Sequence, residues 1–235
     1  MKTTCSHVLL WVSDLHQAVR DYRRLGFTVD YATAKDKARH AHIWFTNGPV
    51  IELLTTPSTA KYFKWPIDLI AGRGSGARMV RWPQGGEGFC DVAVVTEAQD
   101  LIGELAALRA AGVPTGRAVR WRRTKPDGQQ TTFRLAYPRN DRLPFIVTPY
   151  DPPQHPAHAE HANGATELHR VRMGVRAEDA ETFRLIVGDD PTFLVEPAHT
   201  TRVLGIELAG LRGELDPALR HGAVLEPVRT VPDIA

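Results

Sequence analysis

Three stretches of this sequence open in the same way: Ser6-His7-Val8-Leu9-Leu10, Phe89-Cys90-Asp91-Val92-Ala93 and Leu168-His169-Arg170-Val171-Arg172. Each reads as a strand running into a helix that closes on a glycine, Gly26, Gly112 or Gly188, a residue that tolerates the left-handed conformation a helix end commonly needs. A repeat of this kind makes the chain a small unit used several times over. The symmetry is broken in one respect. Only the first opening is followed by His40, His42 and Glu52 on short strands, so the amino-terminal third is where chemistry is expected.

The first unit reads strand, helix, then three strands. Residues 7–12 are almost continuously apolar, as expected of a strand covered on both faces. Ser13 or Asp14 can cap the helix that carries Leu15, Ala18, Val19, Tyr22 and Leu25 at helical spacing. Strands follow at 27–33, 39–46 and 49–55, with Asn47-Gly48 a two-residue hairpin signal between the last two. In the second unit Thr96-Glu97-Ala98-Gln99 matches a capping box, and Leu101, Ile102, Leu105 and Leu108 form the buried stripe. Its strands are expected near 117–123, 130–137 and 143–148. The third unit is shorter, with a strand at 168–175, a helix at 177–187 and strands near 192–196 and 202–209.

The expected organisation is therefore a first βαβββ unit over 1–57, a connecting loop or lid over 58–88 and a second βαβββ unit over 89–150. A linker over 151–166 and a partial third βαββ unit with a weakly patterned tail over 167–235 complete it. This is an α+β fold of tandem βαβββ units. At 235 residues and 43% hydrophobic, the chain can bury a sizeable core. The net charge of +2 and interleaved charges argue against nucleic acid as a partner, although Arg117, Arg120, Arg122, Arg123 and Lys125 form a basic cluster. No apolar run approaches the roughly 20 residues of a membrane span. Cys5 and Cys90 are too few for a disulfide framework, and without a signal peptide the expected location is the cytoplasm.

Several segments carry a family resemblance in the right order: His7-Val8-Leu9-Leu10-Trp11-Val12-Ser13-Asp14-Leu15, Leu25-Gly26-Phe27-Thr28-Val29, Ile51-Glu52-Leu53-Leu54, Pro126-Asp127-Gly128, Leu143-Pro144-Phe145-Ile146 and His161-Ala162-Asn163-Gly164-Ala165. Together they resemble the glyoxalase-like domain family of the vicinal oxygen chelate superfamily, over roughly residues 5–187. The resemblance implies a divalent metal in a cup of curled sheets, held by ligands from the first and last strands of a unit. On that basis His7 and Glu52 are first-choice ligands. His40 aligns best with a third, although Ala41 replaces the asparagine usual after it. His42, two residues on, faces the same side of the strand. Which of the two binds stays open.

The residue types agree with that chemistry. Imidazole and carboxylate suit Zn, Fe, Mn, Ni or Co, and two histidines with one carboxylate leave positions open for substrate. A carboxylate inside Val50-Ile51-Glu52-Leu53-Leu54 is costly to bury without a partner. Against this, His7 can be a satisfied core histidine, and His40 and His42 polar residues of a half-exposed strand. Asp91 falls where His7 does and Val147 near Glu52, so the second unit lacks the pair. His169 and Glu207 echo it, but His169 shares the apolar face of Val171 and Met173. His155, His158 and His161 offer a metal-binding tract but read better as an exposed linker, and Arg134 and Arg142 are either candidates for an anionic substrate or exposed strand positions.

The function expected is a divalent-metal-dependent enzyme of lyase, isomerase or dioxygenase type. It would act on a small oxygenated molecule chelated to the metal, with Glu52 also available as a catalytic base. The alternative is a metal-free small-molecule or drug-sequestering protein like the bleomycin-resistance proteins. The superfamily completes its cups within one chain or between two, so a homodimer is one of two arrangements the resemblance allows.

Overall fold

The computed structural model describes residues 2–57, 62 and 64–228. The first unit comprises strand β1 (Thr3–Trp11), helix α1 (Leu15–Arg24) and strands β2 (Asp30–Tyr31), β3 (His40–Ile43) and β4 (Val50–Leu54). Helices α2 (Lys64–Ala71) and α3 (Ser75–Arg81) follow. The second unit comprises β5 (Gly88–Thr96), α4 (Ile102–Ala110), β6 (Val119–Thr124), β7 (Gln130–Ala136) and β8 (Phe145–Val147). The last part holds β9 (Glu167–Val175), α5 (Ala180–Val187), β10 (Phe193–Pro197), β11 (Arg202–Ala209) and β12 (Leu225–Pro227).

Local chemistry accounts for α1. Asp14 caps it by accepting from the Gln17 N–H at 3.0 Å, and Leu15, Ala18, Val19 and Tyr22 are buried at the predicted spacing. Three expectations yield to tertiary packing. Gly48 has the positive φ of +81° that a turn needs, but β3 and β4 are joined by residues 44–49 rather than by two. Trp44 and Phe45 leave the ladder to pack on His42 and His161. The capping box at Thr96 does not form, because Thr96 stays in β5 opposite Thr3 and the helix begins only at Ile102. Ile102 itself points outward at 71% exposure, leaving Leu101, Leu105 and Leu108 as the stripe.

The strands of the first two units make one eight-stranded sheet, in the order β2-β3-β4-β1-β5-β8-β7-β6. Its centre is the antiparallel pair β1–β5, and the ladder skips Ser6 on one strand and Cys90 on the other. An extra residue of this kind bends and twists its strand. Because the two bulges mirror each other about the Val8–Val92 pair, the halves correspond position by position, and His7 corresponds to Asp91. Leu9 pairs with Glu52 and the matching Ala93 with Phe145, so Phe145 stands at the counterpart of Glu52. Val147, expected there, lies two residues further along, opposite Val95. The sheet curls until Arg123, on edge strand β6, meets His42 on β3 at 3.1 Å.

A second sheet, in the order β10-β9-β11-β12, repeats the central pattern of the first. β9 and β11 are antiparallel, and β10 and β12 flank them in parallel. Leu204 and His169 are the skipped residues here. The bulge at His169 breaks the alternation expected along this strand and sets Arg170, not His169, opposite Glu207. The tail is also more ordered than expected, since β12 pairs with β11 over Ile206–Leu208. The sheet is fastened to the first unit where the Asp190 carboxylate accepts from the Cys5 N–H at 2.5 Å and the Thr3 hydroxyl donates to the Ile186 carbonyl at 2.8 Å.

The main core fills the face of the large sheet that carries α1, α4, α5 and the second sheet. A separate apolar cluster of Leu9, Leu54, Ala93, Leu135, Tyr137, Phe145 and Val147 lines the other, inward-curled face.

Candidate functional site

Glu52 lies in the middle of β4, a strand buried at every position, and only the alternation of the strand turns it toward the cup. Direct pairing sets His42 beside it, and His40 follows on the same face. His7 reaches it from β1. His40 Nδ1 lies 2.5 Å from Glu52 Oε1, His7 Nε2 3.3 Å from Oε2, and His42 Nε2 3.8 Å from Oε1. All four candidate residues therefore meet at one carboxylate. His7, His42 and Glu52 are buried, whereas the His40 side chain is 40% exposed. Between His40 and His42, the structure leaves neither out.

Burial lowers His7 to about 4, against the pull of the neighbouring carboxylate. Burial likewise lowers His42, with Arg123 adding to it. Both rings are thus neutral at neutral pH, the form in which imidazole ligates a metal. Burial alone would raise Glu52, but the contacts of His40, His42 and His7 outweigh it and hold the carboxyl well below its usual range. The Ser6 hydroxyl, 2.9 Å from His7 Nδ1, orients that ring.

The sequence did not single out Arg123. It was one cation of a basic cluster, yet its guanidinium lies 3.1 Å from His42 Nε2 and 3.6 Å from Glu52 Oε1. It also sits over the rings of Phe133 and Tyr150, at 5.7 and 5.9 Å from their centroids. Arg134 and Arg142 pair with neither Glu52 nor the histidines; their backbone N–H groups bond to Thr148 and Asn140.

Ligands about 2.1 Å from one ion stand roughly 3.0–3.5 Å apart. By kind, and by spacing from Glu52, His7 and His42 with that carboxylate suit a divalent ion. Among the described residues, however, no three His, Cys, Asp or Glu side chains stand ready as a metal-holding group. Arg123 takes the place on Glu52 and His42 that a cation would use, so it must withdraw for one to bind.

The site opens into a cavity of 520 Å³ lined by Ser6, His7, His42, Glu52, Tyr150 and Gln154 among others. A second cavity of 670 Å³ adjoins it across Trp44, Gln154 and His155 and carries Arg23, Lys35 and Lys125. The segment expected as an exposed linker thus supplies part of the wall. His161 is buried between Phe27 and Phe45, and its Nδ1 accepts from the Thr28 N–H at 3.0 Å.

In the second half, Asp91 takes the position of His7, and the fully buried Arg78 grips both its oxygens at 2.9 Å. The Trp82 indole N–H adds a bond at 2.9 Å and Arg81 one at 3.2 Å. This wiring fixes α3 to the sheet, so the described part of the 58–88 connection is helical and anchored rather than a loose lid. Residues 58–61 and 63 lie outside the described residues. In the second sheet Glu207 faces Arg170 at 4.0 Å, and its echo with His169 does not bring the two together.

The glyoxalase-like domain model matches residues 5–186, across both halves of the cup and into the third unit. The chain belongs to the glyoxalase-like domain family. No curated protein sequence matches it. A hypothetical protein from Staphylococcus aureus shares the architecture at 13% identity, with a TM-score of 0.68 over 97% of this chain and 100% of that one. The Mn(II)-bound glyoxalase from Novosphingobium aromaticivorans is similar at 9% identity and a TM-score of 0.51, over 88% of this chain and 65% of that one. These likenesses establish the glyoxalase-like fold, second sheet included. No helix among the described residues is long and apolar enough to cross a membrane.

Proposed function

We propose that this member of the glyoxalase-like family is a divalent-metal-dependent enzyme acting on a small oxygenated molecule. The observation that carries this reading is one buried carboxylate, Glu52, met by His7, His40 and His42 at the wall of a cavity. His7, His42 and Glu52 would hold the ion. A solved protein of this fold is a glyoxalase with Mn(II) bound, which supports a metal of that class.

When bound, a divalent ion supplies Lewis-acid polarisation of a substrate's neighbouring oxygens, which suits isomerisation, lyase chemistry or ring opening. The chain's own residues do the rest. Ser6 fixes the His7 ring through Nδ1. Glu52, ionised, can accept a proton at an oxygen facing the cavity. His40, bonded to Glu52 and reaching solvent, can carry that proton outward. The apolar cup wall of Leu9, Phe145 and Val147 limits water beside the reacting atoms.

A second reading, a metal-free binding protein, is favoured by one observation: Arg123 already supplies a cation to Glu52. Metal analysis of protein prepared without a histidine tag separates the two. The enzyme reading expects about one equivalent per chain, falling below about 0.2 in H7A and E52Q. Metal-poor wild type that cannot be reloaded with Mn(II), Zn(II) or Fe(II) supports the binding protein instead.

A further inference from the structure

The buried side-chain atom of the cavity lining that is left without a partner is a donor. Glu52, the buried acceptor, is taken up by three imidazoles and Arg123. The donors are not. Gln154 is 6% exposed, lines both cavities, and its Nε2 has no hydrogen-bond partner. An amide N–H buried without a partner is costly, so something at this wall should accept from it. Arg123 has five N–H donors. Its side chain is 14% exposed and is held by ring faces, the His42 nitrogen, the Tyr150 hydroxyl and a share of Glu52.

Arg78 shows what a wired arginine looks like in this fold. Its Nη atoms are spent on both oxygens of Asp91 and on the carbonyls of Asn140 and Leu143. Arg123 has no carboxylate of its own. If a divalent ion takes Glu52 and His42, Arg123, the neighbour of both, is left without its counterion. The metal, Arg123 and Glu52 then leave two positive charges uncompensated. A buried charge in that state is strongly unfavourable, and an anion entering with the substrate removes the imbalance.

We propose that the substrate is a small carboxylate, its anionic end received by the Arg123 guanidinium and an oxygen of it by the Gln154 amide. This rests on the metal-enzyme reading for its charge argument, though not for the donors themselves. Arg123 is then both the placeholder at Glu52 and the residue that selects charge. A planar guanidinium matches a carboxylate with two parallel bonds, which a lysine cannot reproduce.

The test uses pyruvate and its neutral ester methyl pyruvate, which share two adjacent oxygens and differ in charge. Both are titrated by calorimetry into Mn(II)-loaded and metal-free protein, as wild type, R123A, R123K and Q154L. Mn(II) uptake is measured on the same samples. The expected result is that wild type prefers pyruvate by about tenfold or more, as charge-assisted pairing implies. R123A should lose the preference, R123K keep part of it, and Q154L weaken both probes. A general loss of packing would weaken both probes in R123A without erasing their ratio. Wild type that takes up no Mn(II) sinks the enzyme reading, and the metal-free titrations then decide on Arg123 alone. Equal affinity for the two probes in wild type, or an unchanged preference in R123A, overturns the carboxylate proposal.

Discussion

In the first half of the eight-stranded sheet a buried carboxylate, Glu52, is met by three imidazoles and one guanidinium resting on aromatic rings. In the second half a buried carboxylate, Asp91, is met by two guanidiniums and an indole N–H. The backbone frame is common to both, down to the mirrored bulges at Ser6 and Cys90. His7 is replaced by Asp91 and Glu52 by Phe145, and Tyr137 packs at a tilt against Phe145 at a centroid distance of 5.2 Å. At Asp91 the second half pairs its carboxylate directly with Arg78 and Arg81, which fixes helix α3. The first half keeps the neutral rings of His7 and His42 and one shared carboxylate, and borrows its cation, Arg123, from β6 of the second. On the proposed function, repeated architecture carries two different jobs, cohesion at Asp91 and exchangeable chemistry at Glu52.

The sharpest way to break this comparison is to remove a cation from each carboxylate. R78M leaves Asp91 buried with its main partner gone and is expected to cost about 3–5 kcal/mol in urea unfolding. R123M, which removes a cation sharing a carboxylate with three imidazoles, is expected to cost roughly 1 kcal/mol. Equal losses would erase the distinction between wired and exchangeable.

The pH dependence of stability is the next effect in size, read on metal-free protein. His7 ionises at about 4 in the fold, against an ordinary value of 6.5. Between those values the unfolded chain binds more protons, so stability rises with pH across that window and levels above it. The gain from His7 is at most about 3 kcal/mol. Glu52, held low, acts in the same sense, since its contribution is lost as pH falls through its folded value. In H7N the rise between pH 4 and 6.5 should flatten, which urea melts across that range would detect. A wild-type profile already flat there would contradict the buried neutral imidazole.

The smallest effect is expected in the second sheet. Glu207 and Arg170 are 4.0 Å apart, and Arg170 is largely exposed. E207Q should shift stability by about 1 kcal/mol or less and leave the metal content untouched. A loss of metal in E207Q would point to a site there.

Part of this asymmetry could be read in the chain. His7 and Glu52 stand in apolar strands whose partners are fixed by alternation, and the absence of their like in the second unit is visible residue by residue. Positions that depend on register were not. Val147 in place of Phe145 is an error of two residues, set by bulges at Ser6 and Cys90 that no local pattern marks. The bulge at His169 hid in the same way behind a regular alternation. Arg123 could not be found because it meets His42 only through the curl of the whole sheet, across 81 positions of sequence. Arg78 lay in a glycine- and proline-rich stretch that read as a loop, while its partner Asp91 was already in view.

The most direct measurement is a calorimetric titration of Mn(II) into metal-free wild type, E52Q and D91N, with folding of each checked by its thermal melt. The account predicts a single site in wild type. In E52Q that site should weaken by about tenfold or more, and in D91N it should persist with unchanged stoichiometry in whatever fraction remains folded. Two equivalent sites in wild type, or binding lost in folded D91N and kept in E52Q, would contradict the assignment of chemistry to the first half.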